Sequence, residues 1–201
     1  MRGSGFLAIW SDLAPEDETD WAHWMTREHS VERVRIKGFL ACRIFRALGA
    51  TKNRYFILYD LEKPDTVGGA EYLARLDAPT PWSQRIMPRL QNFARGGGRV
   101  IATAGIGQEL CRELASMDRI AAARVMATDL VQTSIQTREK SMRSEDATFA
   151  GLLVIEGLDE TSVRDALRRL PSLAPQLDRR LIEEPPLYAI CFNLDRRLLP
   201  S

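Results

Sequence analysis

Two stretches of this chain, separated by roughly half its length, are written to one plan. RYFILYDLEKPDTVGGAEYLARL (54–76) and TFAGLLVIEGLDETSVRDALRRL (148–170) each open on an apolar run and end that run on an acid. Each then turns and closes on a helical pattern finishing in ARL or RRL. Self-similarity at a fixed offset is a signature of repeated architecture. It points here to two copies of one fold, and it constrains each copy to place a strand directly before a helix.

The first half can be read in more detail. GFLAIWSDL (5–13) is β-rich and apolar, hence a strand. Pro15 followed by Glu16, Asp17 and Glu18 starts a helix, since proline suits the first turn and acids meet the positive helix end. That helix runs to about Arg35, with a bend expected near Ser30. GFLACRIFRAL (38–48) and RYFILYDLE (54–62) form an antiparallel hairpin across a Gly/Asn-bearing turn. Pro64 opens a second helix ending near Leu76, a short helix ends by Met87, and RVIATAGIG (99–107) is a fourth strand. The order βαββαβ is the ferredoxin-like plan.

In the second half we expect strands at 119–129, 150–156 and 186–194, a helix at 159–170, and a short helix at 108–117 in place of the long first one. VQTSIQTREKSMRSED (131–146) reads as an exposed polar loop. The expected fold class is therefore α+β. Two tandem ferredoxin-like (βαββαβ) repeats occupy 1–105 and, in degenerate form, 106–201. A four-stranded sheet with helices on one face needs cover for the other. Two copies in one chain can supply it by closing as a barrel, which leaves a homodimer unnecessary but not forbidden.

Composition narrows the function classes. With 28 basic and 27 acidic side chains interspersed, the chain lacks the basic face of a nucleic-acid binder. No apolar run approaches the ~20 residues of a membrane span, and MRGSG with FLAIW is too brief for a secretory signal; a cytoplasmic protein is expected. Cys42, Cys111 and Cys191 are scattered and form no zinc or disulfide pattern, so they read as small buried thiols. AGIGQEL (104–110) follows a strand as a dinucleotide fingerprint does, but its third glycine position is Leu110. RGGGR (95–99) reads as a loop or bulge. No metal and no cofactor are expected.

Both histidines lie in WAHWMTREHSVERVRIKGF (21–39). At 100° per residue, Trp21, Trp24, Met25, Val31 and Ile36 fall within roughly a 140° arc, the core-facing stripe. His23 lands opposite it and His29 on its edge, so the pair cannot share a metal on this helix. Glu28 falls inside the stripe. It pairs with Arg35 or a strand arginine, or it is a carboxylate of raised pKa beside His29 that can move a proton on a ligand. His29 is a general base by its ordinary pKa, or an edge histidine bonded to backbone.

Strand 1, the helix bearing EH and ER (Glu28, His29, Glu32, Arg33), GF opening the second strand, YDLE, and TPW before the fourth strand resemble the dimeric α/β-barrel superfamily. The likeness is greatest to its EthD-like and uncharacterised tandem members. It covers about 5–105 in detail and 106–201 as an echo. It implies a small-molecule site between sheet and helices. It does not select a reaction, because that fold hosts isomerases, cyclases, monooxygenases, haem enzymes and plain binders. On this resemblance the expected function is a small-molecule-binding barrel. One form is a cofactor-independent isomerase, cyclase or lyase acting on a small apolar or aromatic substrate. The other is a non-catalytic binder or oligomeric interaction protein. His29 and Glu28 are the acid/base candidates. Arg43, expected on one face with Phe39, Ala41 and Phe45, is an anion clamp or the partner of Glu28. Tyr55, Tyr59 and Trp24 complete the substrate-binding set.

Overall fold

The computed structural model describes residues 2–49, 52–101, 106–144, 146–176 and 185–200, with backbone alone at 106 and 107. In chain order the elements begin with β1 (Gly5–Asp12), α1 (Glu18–Trp24), a π-helical turn (Met25–His29) and α2 (Ser30–Arg35). Next come β2 (Phe39–Ala47), β3 (Tyr55–Leu61), α3 (Ala70–Asp77), α4 (Pro81–Ile86) and β4 (Gln91–Ile101). They continue as α5 (Ile106–Ala115), β5 (Ile120–Thr128), α6 (Leu130–Ser134), α7 (Arg138–Ser141), β6 (Gly151–Gly157), α8 (Glu160–Leu173) and β7 (Tyr188–Asp195). The protein is thus mixed α+β. No helix among the described residues is long and apolar enough to cross a membrane.

Two compact units divide the chain. The first comprises Met1–Arg99, Thr128–Ala150 and Tyr188–Ser201; the second comprises Val100–Ala127 and Gly151–Leu187. In the first, β1 pairs antiparallel with both β3 and β4, and β2 pairs antiparallel with β3 and β7. The strand order β4-β1-β3-β2 is what two crossovers around a hairpin generate. The last strand, β7, lies beside β2 rather than with the other strands of the second half.

Alternation along these strands sorts the side chains. One face presents Leu7, Cys42, Ile44, Tyr55, Ile57, Tyr59 and Phe93 to Trp21, Trp24, Met25, Val34, Tyr72 and Leu76 from the helices. Each such side chain contributes about 1.5–3 kcal/mol on full burial. The opposite face carries Trp10 stacked on Phe56 at 4.7 Å, with Phe45 and Tyr188 beyond and Phe149 edge-on to Trp10. In the second unit β5 pairs antiparallel with β6. Leu110 and Leu114 of α5 pack with Ala166 and Leu170 of α8 and Ile120 of β5.

Several expectations change. The irregularity in the first helix is a π-turn before Ser30, not a bend at it. A π-turn adds a residue to the helical circuit and rotates the succeeding helix by about 100°. Accordingly Ser30, Arg33 and Val34 are buried while Val31 is only half-buried. A bulge between Phe39 and Ala41 breaks the alternation of β2. Phe39 therefore joins the helix-facing core, against Tyr59 and Tyr72, and not the face of Arg43.

The fourth strand begins at Gln91, eight residues earlier than expected, and RGGGR lies within it, paired with β1. Glycine is needed there for clearance. A Cβ at Gly96 would sit 2.5 Å from the Phe149 ring, and one at Gly97 would sit 2.8 Å from Val67. Of the 99–107 span, 102–105 lie outside the described residues and α5 begins at 106. The first two positions of AGIGQEL share that gap. Of the three cysteines only Cys42 is fully buried, and Cys191 is exposed.

Candidate functional site

The candidates read from the sequence do not converge. Glu28, at the end of the π-turn, accepts a hydrogen bond from the Thr80 hydroxyl at 2.6 Å; Arg35, its expected partner, is exposed. Arg43 does not meet Glu28 either. It donates to Asp60 of the neighbouring strand at 2.9 Å, on the face opposite the helices. Tyr55 donates its hydroxyl to Glu18, and burial and that carboxylate push its pKa up. Tyr59 is buried with its hydroxyl next to the Cys42 thiol, and burial raises both acids, Cys42 to about 12. Trp24 is a packing anchor: it is 1% exposed, and its indole N–H donates to Ser83 at 3.2 Å.

Tyr59 is 1% exposed with a hydroxyl that has no hydrogen-bond partner, and His29 is likewise buried and incompletely satisfied. It is 5% exposed, its ring lies 4.2 Å from that of Trp24, and its Nδ1 has no hydrogen-bond partner. Burial, then the positive charges of Arg33 and Arg143, hold its pKa well below 6.5. The imidazole is therefore neutral at physiological pH. His23, by contrast, is exposed.

Around His29 the structure assembles a group that sequence reasoning missed. Arg33 of α2 is buried because the π-turn swings it inward, and there it pairs with Glu139 of α7. Arg95 of β4 is also buried; it donates to the Tyr72 hydroxyl at 3.1 Å. The two guanidinium groups share Tyr72, lying 5.9 and 5.7 Å from its ring centre. Arg143 stacks 4.1 Å over Phe93, with its Nε unpartnered and a guanidinium nitrogen 3.2 Å from Asp146. Lys140 donates to the Thr133 carbonyl, and its pKa is lowered to about 8, first by burial and then by Arg95.

Among the described residues, the side chains of Arg33, Arg95, Lys140 and Arg143 are buried in this group with one buried carboxylate, Glu139, which lies against Arg33 and Arg143. Glu32 and Asp146 lie nearer the surface, their side chains 23% and 29% exposed. Buried charge is costly unless matched, so this cluster, in which buried cations outnumber buried carboxylates among the described residues, is left partly unmatched. Chemically it can hold an anion beside an aromatic surface, with a neutral imidazole offering one free ring nitrogen.

The segment 131–146, expected to be an exposed loop, supplies half of this group. Its one available signal was Thr137, whose hydroxyl caps α7. Nothing local links Glu139 to Arg33, 106 residues away. Two surface clefts also occur. One of about 710 Å³ is lined by residues including Asp12, Arg46, Arg54 and Asn92, and one of about 510 Å³ by Arg35, Arg196, Leu199 and Pro200. Neither is walled by His29, Glu28, Arg43, Tyr55, Tyr59 or Trp24. In the larger, Asp12 is already engaged, accepting from the Asn53 and Arg54 amides and the Asn92 side chain.

Set against known protein families, curated proteins and solved structures, the chain matches none of them.

Proposed function

We propose that this protein binds a small, largely apolar organic molecule between the helices and the sheet of its first unit. In this reading it is a barrel-type relative of the dimeric α/β proteins, built from two ferredoxin-like copies. The observation that carries the reading is the pair of buried, unpartnered atoms His29 Nδ1 and Arg143 Nε. Buried polar groups are ordinarily satisfied, and exceptions mark sites that water or a ligand completes. Trp24 and Phe93, which stack on these two side chains, offer the apolar walls such a ligand needs.

Binding is favoured over catalysis because the acids and bases available are engaged. Glu28 is tied to Thr80, Arg43 to Asp60 and Tyr55 to Glu18. His29 is a weak base while burial and two cations oppose its protonation. The reading calls on no cofactor.

Native mass spectrometry of protein purified gently from its own host tests it, together with tryptophan fluorescence titrated with small aromatic acids such as benzoate and phenylacetate. A co-purifying mass, or saturable quenching lost in Trp24→Phe, is the expected result. A ligand-free chain whose fluorescence answers to none of these compounds overturns it.

A further inference from the structure

The stretch from Asp129 to Ala147 is tied down at both ends to one strand. The Asp129 amide donates to the Gly97 carbonyl, the Ala147 amide to the Phe93 carbonyl, and the Arg95 amide to the Ala147 carbonyl. Between those anchors the chain runs out and back, as compact functional loops do. Every fully buried described residue in it is polar: Thr133, Thr137, Glu139 and Lys140. Of its larger apolar residues, Leu130 and Val131 are 52% and 79% exposed, Ile135 is half-buried and Met142 packs against the core. Among its described residues only Met142 joins the apolar core, so hydrophobic burial does little to hold the rest of this segment. Ion pairs and hydrogen bonds do, and these roughly exchange for contacts with water when a segment lifts. Segments held in this way come from the low-stability end of a fold.

Beneath it the fixed part of the molecule keeps its charge. Arg33 and Arg95 stay on α2 and β4 around Tyr72, with His29 beside Arg33. Glu32 lies 3.9 Å from Arg33 and offsets part of that charge. The remainder suits a singly charged carboxylate, the group that Glu139 now presents to Arg33.

We infer that residues 130–144 are a lid over a carboxylate site at Arg33, Arg95 and Tyr72, and that Glu139 stands in for the carboxylate of a small organic acid. This rests on the binding reading above and gives it a ligand class and a mode of entry. The acid displaces Glu139, its apolar part enters beside Trp24 and Phe93, and the lid lifts. No covalent step is involved.

Amide exchange followed by mass spectrometry on the full-length protein tests the lid. Glu139→Gln, which keeps the shape, is expected to speed exchange across 130–144 about tenfold while β1 and β3 stay protected. In the wild type, benzoate is expected to open the same segment, with chloride at equal ionic strength having no effect. In Glu139→Ala, acetate is expected to raise the melting temperature by filling the vacated place, again without help from chloride. The lid is overturned if 130–144 exchanges only with global unfolding in every variant, or if chloride matches the carboxylates. If benzoate binds with 130–144 undisturbed, the lid fails and the binding reading stands. If acetate rescues Glu139→Ala while no aromatic acid binds the wild type, the carboxylate site stands and the binding reading fails.

Discussion

His29 and Arg33 sit four residues apart and show what burial does to a titratable group. His29 stays neutral in the folded protein, its pKa well below 6.5, whereas in the unfolded chain it takes up a proton near its ordinary value. The folded pKa is depressed, so below pH 6.5 the unfolded state binds more protons and stability falls as pH falls. Between pH 6.5 and 5 this amounts to up to about 1.4 kcal/mol per pH unit. Urea unfolding at several pH values should show His29→Gln losing less stability over that interval than the wild type; parallel curves would refute the assignment. For Arg33, removal of one partner leaves Glu139 charged and buried. Arg33→Met is expected to cost about 3–5 kcal/mol, and the double variant Arg33→Met/Glu139→Met to recover much of it. A double-mutant cycle showing simple additivity would mean that the two side chains are not coupled.

At the scale of elements, two local irregularities set the site. The π-turn at Met25–His29 rotates α2 so that Arg33 faces inward, and a regular wheel drawn through Val31 misses this by about one residue's turn. The glycines of β4 admit the parts that come later in the chain. Thr133 hydrogen-bonds both the amide and the carbonyl of Gly97, and Phe149 lies over Gly96. Gly97→Ala places a methyl carbon 2.8 Å from Val67 and 3.3 Å from the Phe6 carbonyl. It should cost about 1–3 kcal/mol in chemical denaturation; a change below about 0.5 kcal/mol would show that Val67 moves aside freely. The strands β1, β2, β3, β5, β6 and β7 were legible because each is an apolar or alternating run bounded by turn residues. β4 was misplaced because QNFARGGGR lacks such a run and owes its strand state to pairing with β1.

At the scale of the whole molecule, the first unit is assembled from three separate parts of the chain. A fragment ending at residue 101 would lose β7 from the edge of β2 and Glu139 from Arg33. It should therefore show no cooperative thermal transition, by circular dichroism, under conditions where the full chain does; a sharp two-state melt of the fragment would contradict this. The sequence alone determined the α+β class and the positions of most strands and helices, because side-chain period and turn chemistry are local properties of the chain. It also determined that His23 and His29 lie on different faces. Only the tertiary structure decided that Glu139 meets Arg33, that Arg43 belongs to Asp60, and that Glu139, Lys140 and Arg143 of the polar stretch 131–146 bury their side chains. Such pairings join residues as many as 106 positions apart, and no local period records them: they arise when burial removes water from groups that must then find each other.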